Sequence, residues 1–134
     1  MFTRVDHIGI IVDDLSAAMQ VLSDGLGLEL ESEHDLPEKS LKAAFYRCGG
    51  VELELIECTS DELRKQRLGE GNRARIEHVA LQTDDIGVAL SALAGRGIEV
   101  DGTPSQTGAN LSTWTVPETT GGIRFQVLEK VPEH

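Results

Sequence analysis

The sequence predicts an α+β fold of two strand–helix–strand–strand–strand (βαβββ) modules, their strands forming a cupped mixed or antiparallel sheet with the helices outside. Three observations predict it. First, the chain is written twice. Val5-Asp-His-Ile-Gly-Ile-Ile-Val-Asp-Asp-Leu15 matches Ile76-Glu-His-Val-Ala-Leu-Gln-Thr-Asp-Asp-Ile86 at an offset of 71. Gly25-Leu-Gly-Leu-Glu-Leu30 matches Gly95-Arg-Gly-Ile-Glu-Val100 at 70, and Gly49-Gly-Val-Glu-Leu-Glu-Leu-Ile-Glu57 matches Gly121-Gly-Ile-Arg-Phe-Gln-Val-Leu-Glu129 at 72. Second, within each copy the apolar period changes from 2 to 3.6 and back. Third, 134 residues suit one cored domain, whereas either half alone has too unfavourable a surface-to-volume ratio to bury a core easily. The expected organisation is a first module over residues 1–58, a connector over 59–75 and a second module over 76–134.

Residues 4–12 alternate around a β-branched run, as a strand does. Asp13-Asp14 then offers an N-cap, and Leu15, Ala18, Met19 and Leu22 share one face of a helix that stops at Gly25. Three strand-like stretches follow, at 27–33, 41–48 and 51–58. In the connector Asp61 to Leu68 reads as a helix and Gly69-Glu-Gly71 as a break. The second copy repeats the order: a strand around His78, a helix through Ile86, Leu90 and Leu93 stopping at Gly95, then stretches at 98–101, 110–116 and 122–129.

Alternate residues of a strand point to opposite faces. Ile8, Ile10 and Val12 fall on the helix side of the first strand, and Val5, His7, Gly9 and Ile11 on the other. In the matching strand Val79 and Leu81 take the helix side, and Ile76, His78, Ala80 and Gln82 face away. Val51, Leu53 and Leu55, like Ile123, Phe125 and Val127, are the apolar sides of the last strands; Glu52 with Glu54, and Arg124 with Gln126, lie opposite. The repeat therefore sets His7, Glu54, His78 and Gln126 at symmetric positions on a polar face. Two imidazoles, a carboxylate and an amide oxygen suit one divalent transition metal, with Ni, Co, Zn and Mn all compatible. His34 and His134 have no repeat partner and read as surface residues.

Asp plus Glu number 23 against 12 Lys plus Arg, a formal net charge of -11. Nucleic acids and membrane surfaces are polyanionic and would be repelled, so neither is an expected partner. No apolar run approaches the roughly 20 residues of a membrane span, and the first residues lack a secretory signal. Cys48 and Cys58 form no close-spaced motif and read as free thiols of a cytoplasmic protein. Five of the basic residues, Arg64, Lys65, Arg67, Arg73 and Arg75, fall within 12 positions of the connector. Such a strip could receive an anionic small-molecule substrate, with Arg73 and Arg75 as contacts.

The paired His-bearing strands, the Asp-Asp turns and the Gly-Gly-then-Glu/Gln strands together resemble the vicinal oxygen chelate (glyoxalase/bleomycin resistance/dioxygenase) superfamily, over essentially the whole chain. Within it the sequence looks most like methylmalonyl-CoA epimerases, on Leu36-Pro-Glu38, Gly69-Glu-Gly71, and Pro117 followed by Gly121-Gly122. Glyoxalase I (lactoylglutathione lyase) is the near alternative, although its usual Asp-Pro-Asp-Gly turn is replaced by Pro117-Glu-Thr-Thr-Gly-Gly122. A non-catalytic small-molecule binder of the same fold is the rival from another class.

The resemblance implies metal ligands at His7, Glu54, His78 and Gln126, and a homodimer. Two departures stand out. Gln126 occupies a position where such enzymes usually carry Glu, and no carboxylate stands near Ala43, where the epimerases place a second one. The implied chemistry is removal of a proton α to a carbonyl, on an acyl-CoA thioester such as methylmalonyl-CoA. An amide cannot accept that proton, so Glu54 is the catalytic base among the four. Glu52 and Arg124 occupy one repeat position and are substrate-binding candidates that could also pair with each other.

Overall fold

The computed structural model describes residues 1–132, so His134 lies outside the described residues. Its elements run β1 (Arg4–Val12), α1 (Leu15–Gln20), β2 (Glu29–Leu36), β3 (Leu41–Cys48), β4 (Val51–Cys58), α2 (Asp61–Arg67), β5 (Ala74–Gln82), α3 (Ile86–Ala94), β6 (Val100–Thr107), β7 (Asn110–Thr115) and β8 (Arg124–Lys130). The strand–helix–three-strand order occurs twice, in mixed parallel and antiparallel pairing, which makes the class α+β. The chain separates into two compact units, one of His7–Glu77 and one of Met1–Asp6 with the chain from His78 on.

In the unit His7–Glu77 the strand order is β2-β3-β4-β1. β2–β3 and β3–β4 are antiparallel hairpins, while β1 and β4 run parallel, as a helical crossover after β1 requires. Gly49, at φ +62°, opens the two-residue turn between β3 and β4. The helix face is closed by Val12, Leu15, Leu22, Ala44, Tyr46 and Leu55, joined by Ile10, Ala18, Met19 and Leu53. That is the side the period-2 pattern assigns to Ile10, Val12, Leu53 and Leu55. On the opposite side Ile11, Ile56 and Cys58 pack under Leu63 and Leu68 at the connector helix α2.

The second unit has the order β5-β8-β7-β6, again with one parallel pair, β5 and β8. Ile86, Ala89, Leu93 and Val127 form its core with Phe2, Leu90, Ile98 and Leu111.

The helix starts are built alike. Asp14 Oδ1 accepts from Ala17 N at 3.1 Å, and Asp85 Oδ1 from Val88 N at 3.1 Å. A second carboxylate from the last strand caps each helix: Glu57 Oε1 accepts from Leu15 N at 2.8 Å, and Glu129 Oε1 from Ile86 N at 2.8 Å.

Three expectations about elements are corrected. The first helix does not run unbroken to Gly25: after Gln20 the chain widens into a π-helical turn over Val21–Gly25, closed by Leu26 N donating to Val21 O at 2.8 Å. The stretch expected at 27–33 is instead Glu29–Leu36, because Gly27 at φ +70° turns the chain before the strand begins. The short stretch at 98–101 is the eight-residue β6, whose polar Val100–Thr107 sequence is an edge strand, paired among the described residues with β7 alone.

Candidate metal and substrate site

In the unit His7–Glu77, β1 and β4 are in parallel register with His7 opposite Glu52 and Gly9 opposite Glu54. His7 is buried, and its Nε2 lies 3.5 Å from Glu54 Oε1. Gly9 has no side chain, so nothing bulky stands beside the carboxylate on β1. Phe45 on β3 pairs with Glu54, and its ring meets the His7 ring edge-on at 6.4 Å between centroids. The same Phe45 ring meets His34 on β2 edge-on at 5.7 Å, and His34 Nε2 is 3.1 Å from Ser32 Oγ. Glu52 lies beside a charged cluster: its register partner Arg47 binds Glu31 through Nε at 2.6 Å, and the Glu31 carboxyl is held low first by Arg47 and then by Glu52.

The second unit repeats the arrangement with changed chemistry. In the parallel β5–β8 pair His78 is opposite Arg124 and Ala80 opposite Gln126, the same register as His7/Glu52 and Gly9/Glu54. His78 is buried and meets Trp114 edge-on at 4.8 Å. Trp114 pairs with Gln126 as Phe45 pairs with Glu54. The Arg124 guanidinium carbon lies 3.8 Å over the centre of the Trp114 ring, a cation–π contact. Gln126 Nε2 donates to Ser112 Oγ at 3.1 Å, which engages the amide nitrogen.

The connector differs from the expected basic strip. Arg67 is withdrawn into a bidentate pair with Glu77, Nε to Oε2 at 2.8 Å and Nη2 to Oε1 at 2.7 Å. Arg64 donates to Asp13 O and Arg75 to Arg67 O, each from its guanidinium. Arg73 is exposed, and its carbonyl accepts from Asp13 N. The cleft beside this segment, about 370 Å³, is lined by Asp13, Asp61 and Glu70 as well as Arg64 and Lys65, so it has no anionic preference.

Sequence reading missed Phe45, Trp114 and the place of His34. Phe45 and Trp114 sit at equivalent points of the two copies, in the strands expected at 41–48 and 110–116, and that equivalence was the signal for them. His34 is exposed, as a surface residue would be, and its ring also meets Phe45 edge-on.

A protein of two α+β units, each placing a strand His beside the Glu or Gln position of its last strand, is of the paired-module class. The chain belongs to the Glyoxalase/Bleomycin resistance protein/Dioxygenase superfamily, whose sequence model matches residues 4–127. It is similar to the uncharacterised protein YqjC of Bacillus subtilis, 31% identical over 94% of this chain and 91% of that one. It is also similar to the mitochondrial methylmalonyl-CoA epimerase of Bos taurus, 27% identical over 80% of this chain and 62% of that protein. Among solved structures, methylmalonyl-CoA epimerase from Mycobacterium tuberculosis superposes with a TM-score of 0.85 at 22% identity, covering 98% of this chain and 90% of that one. Among the described residues no helix is long and apolar enough to cross a membrane.

Proposed function

We propose that the chain is a metal-dependent isomerase that moves a proton α to the carbonyl of an acyl thioester of the methylmalonyl-CoA type. His7, Glu54, His78 and Gln126 would hold one divalent cation, and Glu54 would be the base. The observation that carries this reading is the shared register: His7 with Glu54 and His78 with Gln126 occupy equivalent places in two parallel strand pairs. Two imidazoles and one carboxylate, from His7, His78 and Glu54, are a donor set that could hold a metal ion, and borderline cations such as Ni, Co, Zn and Mn match it. The similarity to the Bos taurus epimerase supports the substrate class.

A divalent cation bound there supplies Lewis-acid stabilisation of the negative charge that develops on the carbonyl oxygen. The protein's own groups do the rest. Glu54 can accept the α-proton, whereas Gln126 can ligate but cannot take up a proton. Arg124, braced on Trp114, presents a planar guanidinium suited to a substrate carboxylate, and Glu52, at the equivalent position of the other copy, is the second proposed substrate contact. Arg73 and Arg75 are exposed and remain the proposed contacts for the phosphates of a CoA moiety.

The test is elemental analysis of protein purified without chelators, followed by epimerisation of methylmalonyl-CoA by native chain and Glu54→Gln. About one metal per chain and a loss of roughly 10²–10⁴-fold in epimerisation in the variant are expected, the range typical of removing a positioned base. The substituted amide is the group already present at Gln126, so metal should be retained. Wild-type rates in Glu54→Gln refute the role of Glu54. Turnover of the glutathione–methylglyoxal hemithioacetal in place of methylmalonyl-CoA would show a lyase, and neither metal nor turnover would show a binder.

A further inference from the structure

We infer that His34 is a second proton-transfer group, acting on the face of the substrate α-carbon opposite to Glu54; this rests on the isomerase reading above. Inversion at a carbon requires it. A single base that removes a proton and returns it from the same side restores the starting configuration, so a product of opposite configuration needs a donor on the other side.

The fold of the unit His7–Glu77 supplies one candidate. Glu54 on β4 pairs with Phe45 on β3, which pairs with Ser32 on β2; one step along, Ile56 pairs with Ala43, which pairs with His34. Residues directly paired across strands share a face, so His34 and Glu54 lie on the same side of the sheet. They are two strands and two residues apart, which at ~4.8 Å per strand and ~3.3 Å per residue separates their Cα atoms by about 12 Å. Side chains of this length, leaning inward from either end of that span, can flank one carbon atom.

Two features favour the arrangement. The position between His34 and Ile56 is Ala43, so no long or charged side chain stands between the imidazole and β4 on that row. Phe45 forms the floor, touching the His34 ring at 5.7 Å and the His7 ring at 6.4 Å. The neighbouring Ser32 hydroxyl can donate to a neutral imidazole or accept from a charged one, so it tolerates both protonation states. The other acidic side chain on this stretch, Glu52, lies against the Arg47–Glu31 pair.

The step balances without any redox partner. The carboxylate of Glu54 takes the α-proton, and the C–H electron pair becomes the enolate. The enolate carbon then takes a proton from the His34 imidazolium on the opposite face. Glu54 ends protonated and His34 neutral, and both reset by proton exchange with water, to which His34 is exposed. The reverse reaction exchanges the two roles.

The experiment follows each epimer of methylmalonyl-CoA separately in D₂O with native chain, His34→Gln and Glu54→Gln, with metal content measured on all three. Native chain should incorporate deuterium into both epimers and interconvert them. His34→Gln should epimerise at least about 100-fold more slowly, with full metal content, yet still wash deuterium into the one epimer whose proton faces Glu54. Glu54→Gln should show the mirror result, exchange confined to the other epimer. Epimerisation by His34→Gln within about threefold of native overturns the role of His34 and leaves the isomerase reading intact. So does equal loss of exchange from both epimers in His34→Gln. A native chain that neither exchanges nor epimerises either substrate overturns both.

Discussion

Replacing Arg67 by methionine should cost about 3 kcal/mol of folding stability. Its guanidinium holds Glu77 through two short bonds, 2.7 and 2.8 Å, and the Glu77 side chain is only 4% exposed. Removing one partner of such a buried pair takes two charge-assisted hydrogen bonds from a desolvated carboxylate, and breaking a buried pair in this way typically costs about 3–5 kcal/mol. The lower end applies because Arg67 is itself 21% exposed, so water can enter the space it leaves. Methionine keeps most of the length of the arginine's aliphatic stem, so the loss reports the charge rather than a cavity. In urea unfolding the midpoint should fall at unchanged slope, and in thermal unfolding Tm should drop by about 10 °C for a chain of this size. The double variant Arg67→Met/Glu77→Leu should recover most of that loss, because replacing both ions with apolar groups removes the stranded charge. A single variant within 0.5 kcal/mol of native, or a double variant as unstable as the sum of the two singles, would refute the reasoning.

Other expectations concern the helix caps and the thiols. Glu57→Ala and Glu129→Ala each remove a carboxylate that accepts from the first N–H of a helix, so each should cost about 1 kcal/mol in urea unfolding. The two effects should add, since the capped groups share no partner; a strongly non-additive double variant would contradict that. Of the two free cysteines, exposed Cys48 should react quickly with a thiol reagent and buried Cys58 only as the chain unfolds. Burial raises the Cys58 thiol above its ordinary 9.0. A raised folded-state pKa means the folded chain holds its proton longer than the unfolded chain, so this contribution to stability is complete below pH 9 and is lost as pH rises further. Cys58→Ala should therefore flatten the decline in stability above pH 9, and an identical alkaline slope in variant and native would count against it.

The duplication made much of the architecture legible. Matched Asp14 and Asp85 caps, matched apolar faces on β1, β4, β5 and β8, and the positions of His7, Glu54, His78 and Gln126 all follow from local periodicity, because they lie in strongly patterned strands. The edge strands were less legible. β2 and β6 carry mostly polar side chains, so no alternation marked their limits, and β6 extends to Thr107 on the strength of hydrogen bonds to β7 alone. The π-helical turn at Val21–Gly25 also has no composition of its own; Leu22 within it is buried in the core, and Gly27 just beyond it turns the chain at φ +70°.

What the sequence determined by itself is therefore the repeat, the class of fold and the polar residues of its symmetric positions, since these depend on neighbours one to four residues away. Only the tertiary structure decided which partner each side chain meets. It turned Arg67 away from a basic strip toward Glu77, laid Arg124 on Trp114, and brought His34 to Phe45 across the β2–β3 pairing. Those choices depend on strand register, which a slip of one residue would invert. Register is set by the packing of the whole sheet and not by any short stretch of chain.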